Sequence, residues 1–120
     1  MTADPFTDRL TRVRDRFAAS LAGKIEGVCA AVSNFSDGDA GAAAAVEEAY
    51  RFVHGMVGVG PTVGFPATGS AAHEVEDVLR GARTERRGLT SGEISLLART
   101  LETLRETAAR ELKSFHSVQR

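Results

Sequence analysis

Cysteine, proline and tryptophan are scarce or missing in this 120-residue chain: one Cys, three Pro and no Trp. The lone Cys29 excludes an internal disulfide and fits a reducing, cytoplasmic setting. The prolines sit at 5, 61 and 66, leaving long stretches free of helix breakers. Neither sign of charge dominates. Fifteen Lys+Arg face sixteen Asp+Glu, and the net charge of -1 argues against a general nucleic-acid binder, which needs a basic face. No apolar run approaches the roughly 18 residues of a membrane span. The opening Met-Thr-Ala-Asp-Pro-Phe lacks a basic region followed by an apolar one, so no secretory signal is expected.

Helix-forming residues make up much of the rest. Apolar residues are 42% of the chain, strand-type alternation is rare, and Ala, Leu, Glu and Arg abound. Four amphipathic segments can be read. The first opens at Asp4-Pro5, a favoured cap followed by a proline with no amide to waste. Its stripe is Phe6, Leu10, Val13, Phe17, Leu21, Ile25, Val28 and Val32, in steps of three and four. The second runs from about Ala42 to Val59, with Val46, Ala49, Tyr50, Val53 and Val57 inward, and closes at Gly60-Pro61. The third starts near Phe65-Pro66, turns Phe65, Ala72, Val75 and Leu79 inward and is expected to fray at Gly81. A basic loop then holds Arg80, Arg83, Arg86 and Arg87 against Glu85 alone. The fourth begins at Thr90-Ser-Gly-Glu93, a capping box, and carries Ile94, Leu97, Leu101, Leu104, Ala108, Leu112 and Phe115. Single-stripe helices with short connections predict an all-α antiparallel four-helix bundle. It forms one domain over residues 1–120, core about 4–115, with a frayed tail from Ser117. No second apolar seam demands a dimer, so a monomer is expected.

The unusual segment is His54-Gly-Met-Val-Gly-Val-Gly-Pro-Thr-Val-Gly64. Gly55 and Gly58 lie inside a helix, where each costs about 1 kcal/mol relative to Ala. Gly58, four residues after His54, lies beside it on the helix surface. His54 is turned about 100° from Val53, at the rim of the apolar face. Two readings fit: an imidazole left accessible to a large partner, or a close helix–helix contact beside a rim histidine. Spacing leaves both open. Met56 is likewise either a rim contact or core.

Two near matches fail. Gly55 to Thr62 resembles a P-loop, but Pro61 replaces its lysine and a helix precedes it. Gly58 to Gly64 is one residue too long for a dinucleotide fingerprint. His54, His73 and His116 form no H-x-x-x-H pair, and Cys29 is distant, so nothing suggests a metal site. Of Glu74, Glu76 and Asp77, Glu76 alone falls at the edge of the packed stripe, where a carboxylate reaches a neighbouring helix.

Tyr50-Arg-Phe-Val-His54-Gly-Met-Val-Gly58, then Gly64-Phe65, then Ala72-His73-Glu-Val-Glu76-Asp-Val-Leu79 and Leu89-Thr90, resembles histidine-containing phosphotransfer (HPt) domains. The nearest variety is the N-terminal phosphotransfer domain of CheA-type chemotaxis histidine kinases, which shares the spacing from His54 to His73 and Glu76. The resemblance implies a cytoplasmic phosphorelay carrier of bacterial two-component signalling. His54 would accept a phosphoryl group from a histidine kinase catalytic domain and donate it to the aspartate of a response-regulator receiver domain. Glu76 would hold one ring nitrogen of His54, His73 would be a polar neighbour, and Gly58 would leave room for the partner. Receiver docking is expected around His54 on the first two helices. ATP and Mg²⁺ would reside on the partner domains, with no cofactor in this one and no ATP turnover by it alone. Family members usually carry Lys three residues after the histidine. Here Val57 stands there, and Arg51, one turn before His54, is the nearest cation expected to compensate. A degenerate bundle binding a kinase or receiver without phosphotransfer is the alternative. The dimerisation segment of a sensor kinase, His-Glu-x-x-Thr-Pro, matches only at His73-Glu74. Whether the chain is free-standing or part of a larger kinase stays open.

Overall fold

The computed structural model describes residues 5–118, with the backbone alone for Val118. Four helices follow one another: α1 (Pro5–Ala31), α2 (Ala42–Val59), α3 (Pro66–Glu85) and α4 (Ser91–Val118). Short 3₁₀ turns, Val32–Phe35 and Pro61–Val63, follow α1 and α2. No strand occurs among the described residues, and one parallel bridge joins Ser36 to Leu89 across two loops.

The α1–α4, α2–α3 and α3–α4 pairs run antiparallel, as residue pairings show. Glu26 meets Arg105 and Arg14 lies over Phe115 between α1 and α4. Glu47 meets Arg83 and His54 meets Glu76 between α2 and α3. The amides of Ala67 and Thr68 meet Glu111 between α3 and α4. The expected all-α antiparallel bundle is therefore what forms. Its core draws on all four stripes, with Leu21, Ile25, Val46, Val53, Val75, Leu79, Leu97 and Leu104 at 2% exposure or less. Burying each such side chain contributes about 1.5–3 kcal/mol. Met56 belongs to this core at 2% exposure, while Tyr50 and Val57 are half-buried at its edge.

The first stripe does not pack along its whole length. Phe6, Leu10 and Val13 are 70%, 37% and 42% exposed. The reason is length: α1 has 27 residues and α4 28, against 18 and 20 for α2 and α3. At about 3.6 residues per turn the long pair outruns the short pair by roughly two and a half turns. A cluster of Phe17, Phe65 and Phe115, with ring centroids 5.3 and 5.6 Å apart, closes the core at that level. Val32 lies in the 3₁₀ turn rather than on α1. The expected cap at Asp4 lies outside the described residues.

The helix ends show which local rules won. α3 does not fray at Gly81 but continues to Glu85, because Ala82 beyond that glycine is fully buried. Arg86 ends it in the left-handed conformation, φ 56°, its amide bonded back to Ala82 and Arg83. Arg80 and Arg83 are thus helical residues, not members of a basic loop, and acidic partners hold both. The capping box at α4 forms in both directions: the Glu93 amide donates to Thr90 Oγ1 and the Thr90 amide to Glu93 Oε1. α4 runs on through Ser117 to Val118, so the expected fraying does not start at Ser117, and Gln119 and Arg120 lie outside the described residues.

Between α2 and α3 the chain reverses tightly. Gly64 takes φ 96°, and the Phe65 amide donates to the Gly60 carbonyl at 2.7 Å, driving Phe65 into the core. A Cβ on Gly60 would stand 2.6 Å from the Met56 carbonyl oxygen. Gly60 and Gly64 therefore build a turn that sets how α2 faces α3.

Arg87 braces the α3–α4 connection with a bidentate pair to Glu93, 2.8 and 3.2 Å, and a bond to Glu85. The guanidinium and the Thr90 amide hold the Glu93 carboxyl down at about 2, from an ordinary 4.5. A lowered carboxylate contributes stability that is complete above about pH 4.5 and disappears as pH falls towards 2. Glu93→Gln keeps the capping geometry and loses the charge. With Glu93 about a quarter exposed, it is expected to lower unfolding stability at pH 7 by about 1–2 kcal/mol after solvent screening. Urea denaturation of both proteins should show the gap closing between pH 4.5 and 2.

Candidate functional site

α2 and α3 present matching stripes across their seam. On α2, Glu47, Tyr50 and His54 follow at steps of three and four; on α3, Glu76, Arg80 and Arg83 do the same. Because the helices are antiparallel, the stripes meet head to tail.

His54 stands at the top of the pair with its side chain 66% exposed, while the Glu76 side chain beneath it is 5% exposed. His54 Nδ1 lies 2.5 Å from Glu76 Oε2. An ionised carboxylate only accepts, so Nδ1 carries the proton and donates. In the neutral ring the other nitrogen, Nε2, then holds a free lone pair. The other Glu76 oxygen, Oε1, accepts from Arg80 at 3.0 Å. Arg80 also donates to Asp77 at 2.6 Å. Tyr50 and Asp77 raise the Arg80 guanidinium above its ordinary value. The Tyr50 ring stacks against His54, centroids 5.7 Å apart and planes 11° apart. Arg83 covers the tyrosine at 4.4 Å and donates to Glu47 at 2.8 Å. That bond holds the Glu47 carboxyl below its usual range.

The helix surface is open at the two glycines next to His54. A Cβ built on Gly55 or Gly58 meets nothing within 4 Å. No close helix–helix contact among the described residues needs these glycines, which decides between the two readings of the spacing: His54 is accessible.

The remaining expected residues fall nearby but apart. His73 is half-exposed, and its Nδ1 lies 3.5 Å from Asp77 on its own helix. Arg51 lines a groove between α1 and α2 with Phe52, Gly55 and Val59. Phe52 and Val59 in that groove are 43% and 39% exposed, while Met56 is buried at 2%. Sequence reading missed Tyr50, Arg80 and Arg83 as site neighbours. The signal was present, Tyr50 four before His54 and Arg80 four after Glu76, once α3 is carried past Gly81. No group of three metal-ligating side chains occurs among the described residues. Among the described residues no helix is long and apolar enough to cross a membrane.

A four-helix bundle with an exposed, carboxylate-held histidine narrows the comparison, and the family model for the Hpt domain matches residues 12–109. The chain belongs to the Hpt domain family. No curated protein and no solved structure gives a match. Hpt domains are histidine phosphorelay carriers of two-component signalling, and they interact with kinases and response regulators. The matched segment of this Hpt domain contains both His54 and Glu76.

If the glycines beside His54 serve access alone, filling one stabilises the helix. Gly58→Ala is expected to raise unfolding stability by about 0.5–1 kcal/mol. Urea unfolding checks this, and a destabilised variant would show that packing requires the glycine.

Proposed function

We propose that His54 is the phosphoacceptor of this Hpt domain, taking its phosphoryl group from a histidine kinase catalytic domain and donating it to a receiver aspartate. The single observation carrying this reading is the Glu76–His54 contact on an otherwise bare helix surface. It leaves Nε2 as the nucleophile. In the forward step the Nε2 lone pair attacks the γ-phosphorus of ATP, the bond to the β–γ bridging oxygen breaks, and ADP leaves. In the second step a receiver carboxylate oxygen attacks the phosphorus, the P–N bond breaks, and the electron pair returns to Nε2. Glu76 keeps the Nδ1 proton in place throughout and disperses the positive charge that the ring gains on attack.

Phosphoryl transfer is mostly positioning and electrostatic stabilisation. The bundle offers a held imidazole and space above it. ATP and Mg²⁺ belong on this reading to the kinase and receiver. Val57 is half-buried against the core and offers no cation. The exposed Phe52 and Val59 beside Arg51 suit the apolar part of a receiver contact on α1 and α2. The spacing of His54, His73 and Glu76 supports a CheA-type, chemotaxis setting.

The test is label from ATP through a histidine kinase catalytic core, read as acid-labile, base-stable phosphate. Wild type is expected to take label and pass it to a receiver, and His54→Gln to take none. Glu76→Ala is expected to fold normally and to slow labelling about 10-fold, since it removes an orienting group and not packing. Label surviving on His54→Gln but lost on His73→Gln would move the acceptor to α3. Receiver binding without any label would make the domain a non-catalytic adaptor, a reading Val57 favours.

A further inference from the structure

Glu76 is nearly buried, yet among the described residues its hydrogen-bond partner on the far side of the seam is a largely exposed ring on α2. One hydrogen bond to such a ring does not fix a side chain with three rotatable bonds. The geometry points to Arg80 as the positioning residue that does. It holds Glu76 Oε1 at 3.0 Å while Oε2 accepts from His54, so both carboxylate oxygens are fixed and the buried charge is paired. Arg80 is itself held by Asp77 at 2.6 Å. Tyr50 lies between the His54 ring and Arg83, which Glu47 anchors. The circuit runs from α2 to α3 and back, and its output is the orientation and tautomer of one imidazole. Losing Arg80 frees the carboxylate to rotate, and Nδ1–H then competes with Nε2–H for the ring proton. This role rests on His54 being the phosphoacceptor, and it adds a cation acting through Glu76 rather than on the phosphoryl group.

The experiment uses phosphoramidate, a small donor with no docking surface. Nε2 attacks its phosphorus, the N–P bond of the donor breaks, and ammonia leaves. The full chain is compared as wild type, Arg80→Ala, Arg80→Lys, Glu76→Ala and the double Glu76→Ala/Arg80→Ala, each checked for native helicity. Arg80→Ala is expected to slow labelling of His54 about 5-fold and to raise the Nε2–H tautomer share in ¹⁵N spectra of the unphosphorylated ring. Arg80→Lys, which keeps the charge one turn from Glu76, is expected to recover most of both. In the Glu76→Ala background, removing Arg80 is expected to change the rate by less than about twofold, since its effect is routed through that carboxylate. Three results would overturn the inference: an Arg80→Ala rate and tautomer matching wild type, a slowed rate with an unchanged tautomer, or full additivity in the double variant. Those leave the carrier reading standing if Glu76→Ala is slow. A wild-type protein that takes no phosphoryl group at His54 removes both.

Discussion

The register between α2 and α3 is the constraint on which the site depends. His54 and Glu76 are 22 residues apart, and their contact exists only because the two helices face each other in one antiparallel setting. A slip of one residue turns a side chain about 100° around its helix and 1.5 Å along it. Val46, Val53 and Met56 on one side and Ala72, Val75 and Leu79 on the other, all nearly buried, exclude that slip. The turn at 60–65 fixes the starting point. Its left-handed Gly64 and the crowded Gly60 permit a reversal short enough to bring the C-terminal turn of α2 against the first turn of α3. The core, in other words, does for the site what a rigid mount does for a lens.

Nearly everything else at the site is polar and sits outside that core. Ion pairs such as Arg83–Glu47 are half-exposed and contribute little to stability on their own. Their value lies in geometry. Each holds a side chain that touches the next, and the sequence ends on an imidazole with a defined donor and a defined acceptor nitrogen. Two helical glycines leave the ring uncovered at a cost of about 1 kcal/mol each, which the adjoining buried residues readily offset.

Much of this was legible in the residues. The helix boundaries at Ala42, Val59, Pro66 and Ser91 follow from Gly, Pro and the Thr90–Glu93 box, signals that act within a few residues. Glu76 was legible as an edge carboxylate because helical periodicity alone places it there. Three things were not. Phe6, Leu10 and Val13 carry a perfect stripe, but whether a stripe is covered depends on the length of the neighbouring helices. Gly81 has the form of a helix terminator, yet the burial of Ala82 outweighs its propensity, and with that mistake Arg80 passed for a loop residue. Glu111, whose carboxylate accepts from the first amides of α3 at 2.6 and 3.1 Å, is invisible locally because its partners lie more than forty residues away.

A carrier differs from an enzyme in what it must avoid. A phosphoryl group held too well would not move on. On the proposed reading, the phosphorylated Nε2 stands on a ring whose other nitrogen already faces a carboxylate, so the new negative charge has an acidic neighbour. The cations closest in the network, Arg80 and Arg83, are engaged by Glu76, Asp77 and Glu47 before any phosphate arrives. Such an arrangement orients the nucleophile strongly and stabilises its product weakly. The missing charge must come from whichever partner closes over the ring, which makes transfer depend on docking and keeps the phosphoryl group available to the next acceptor.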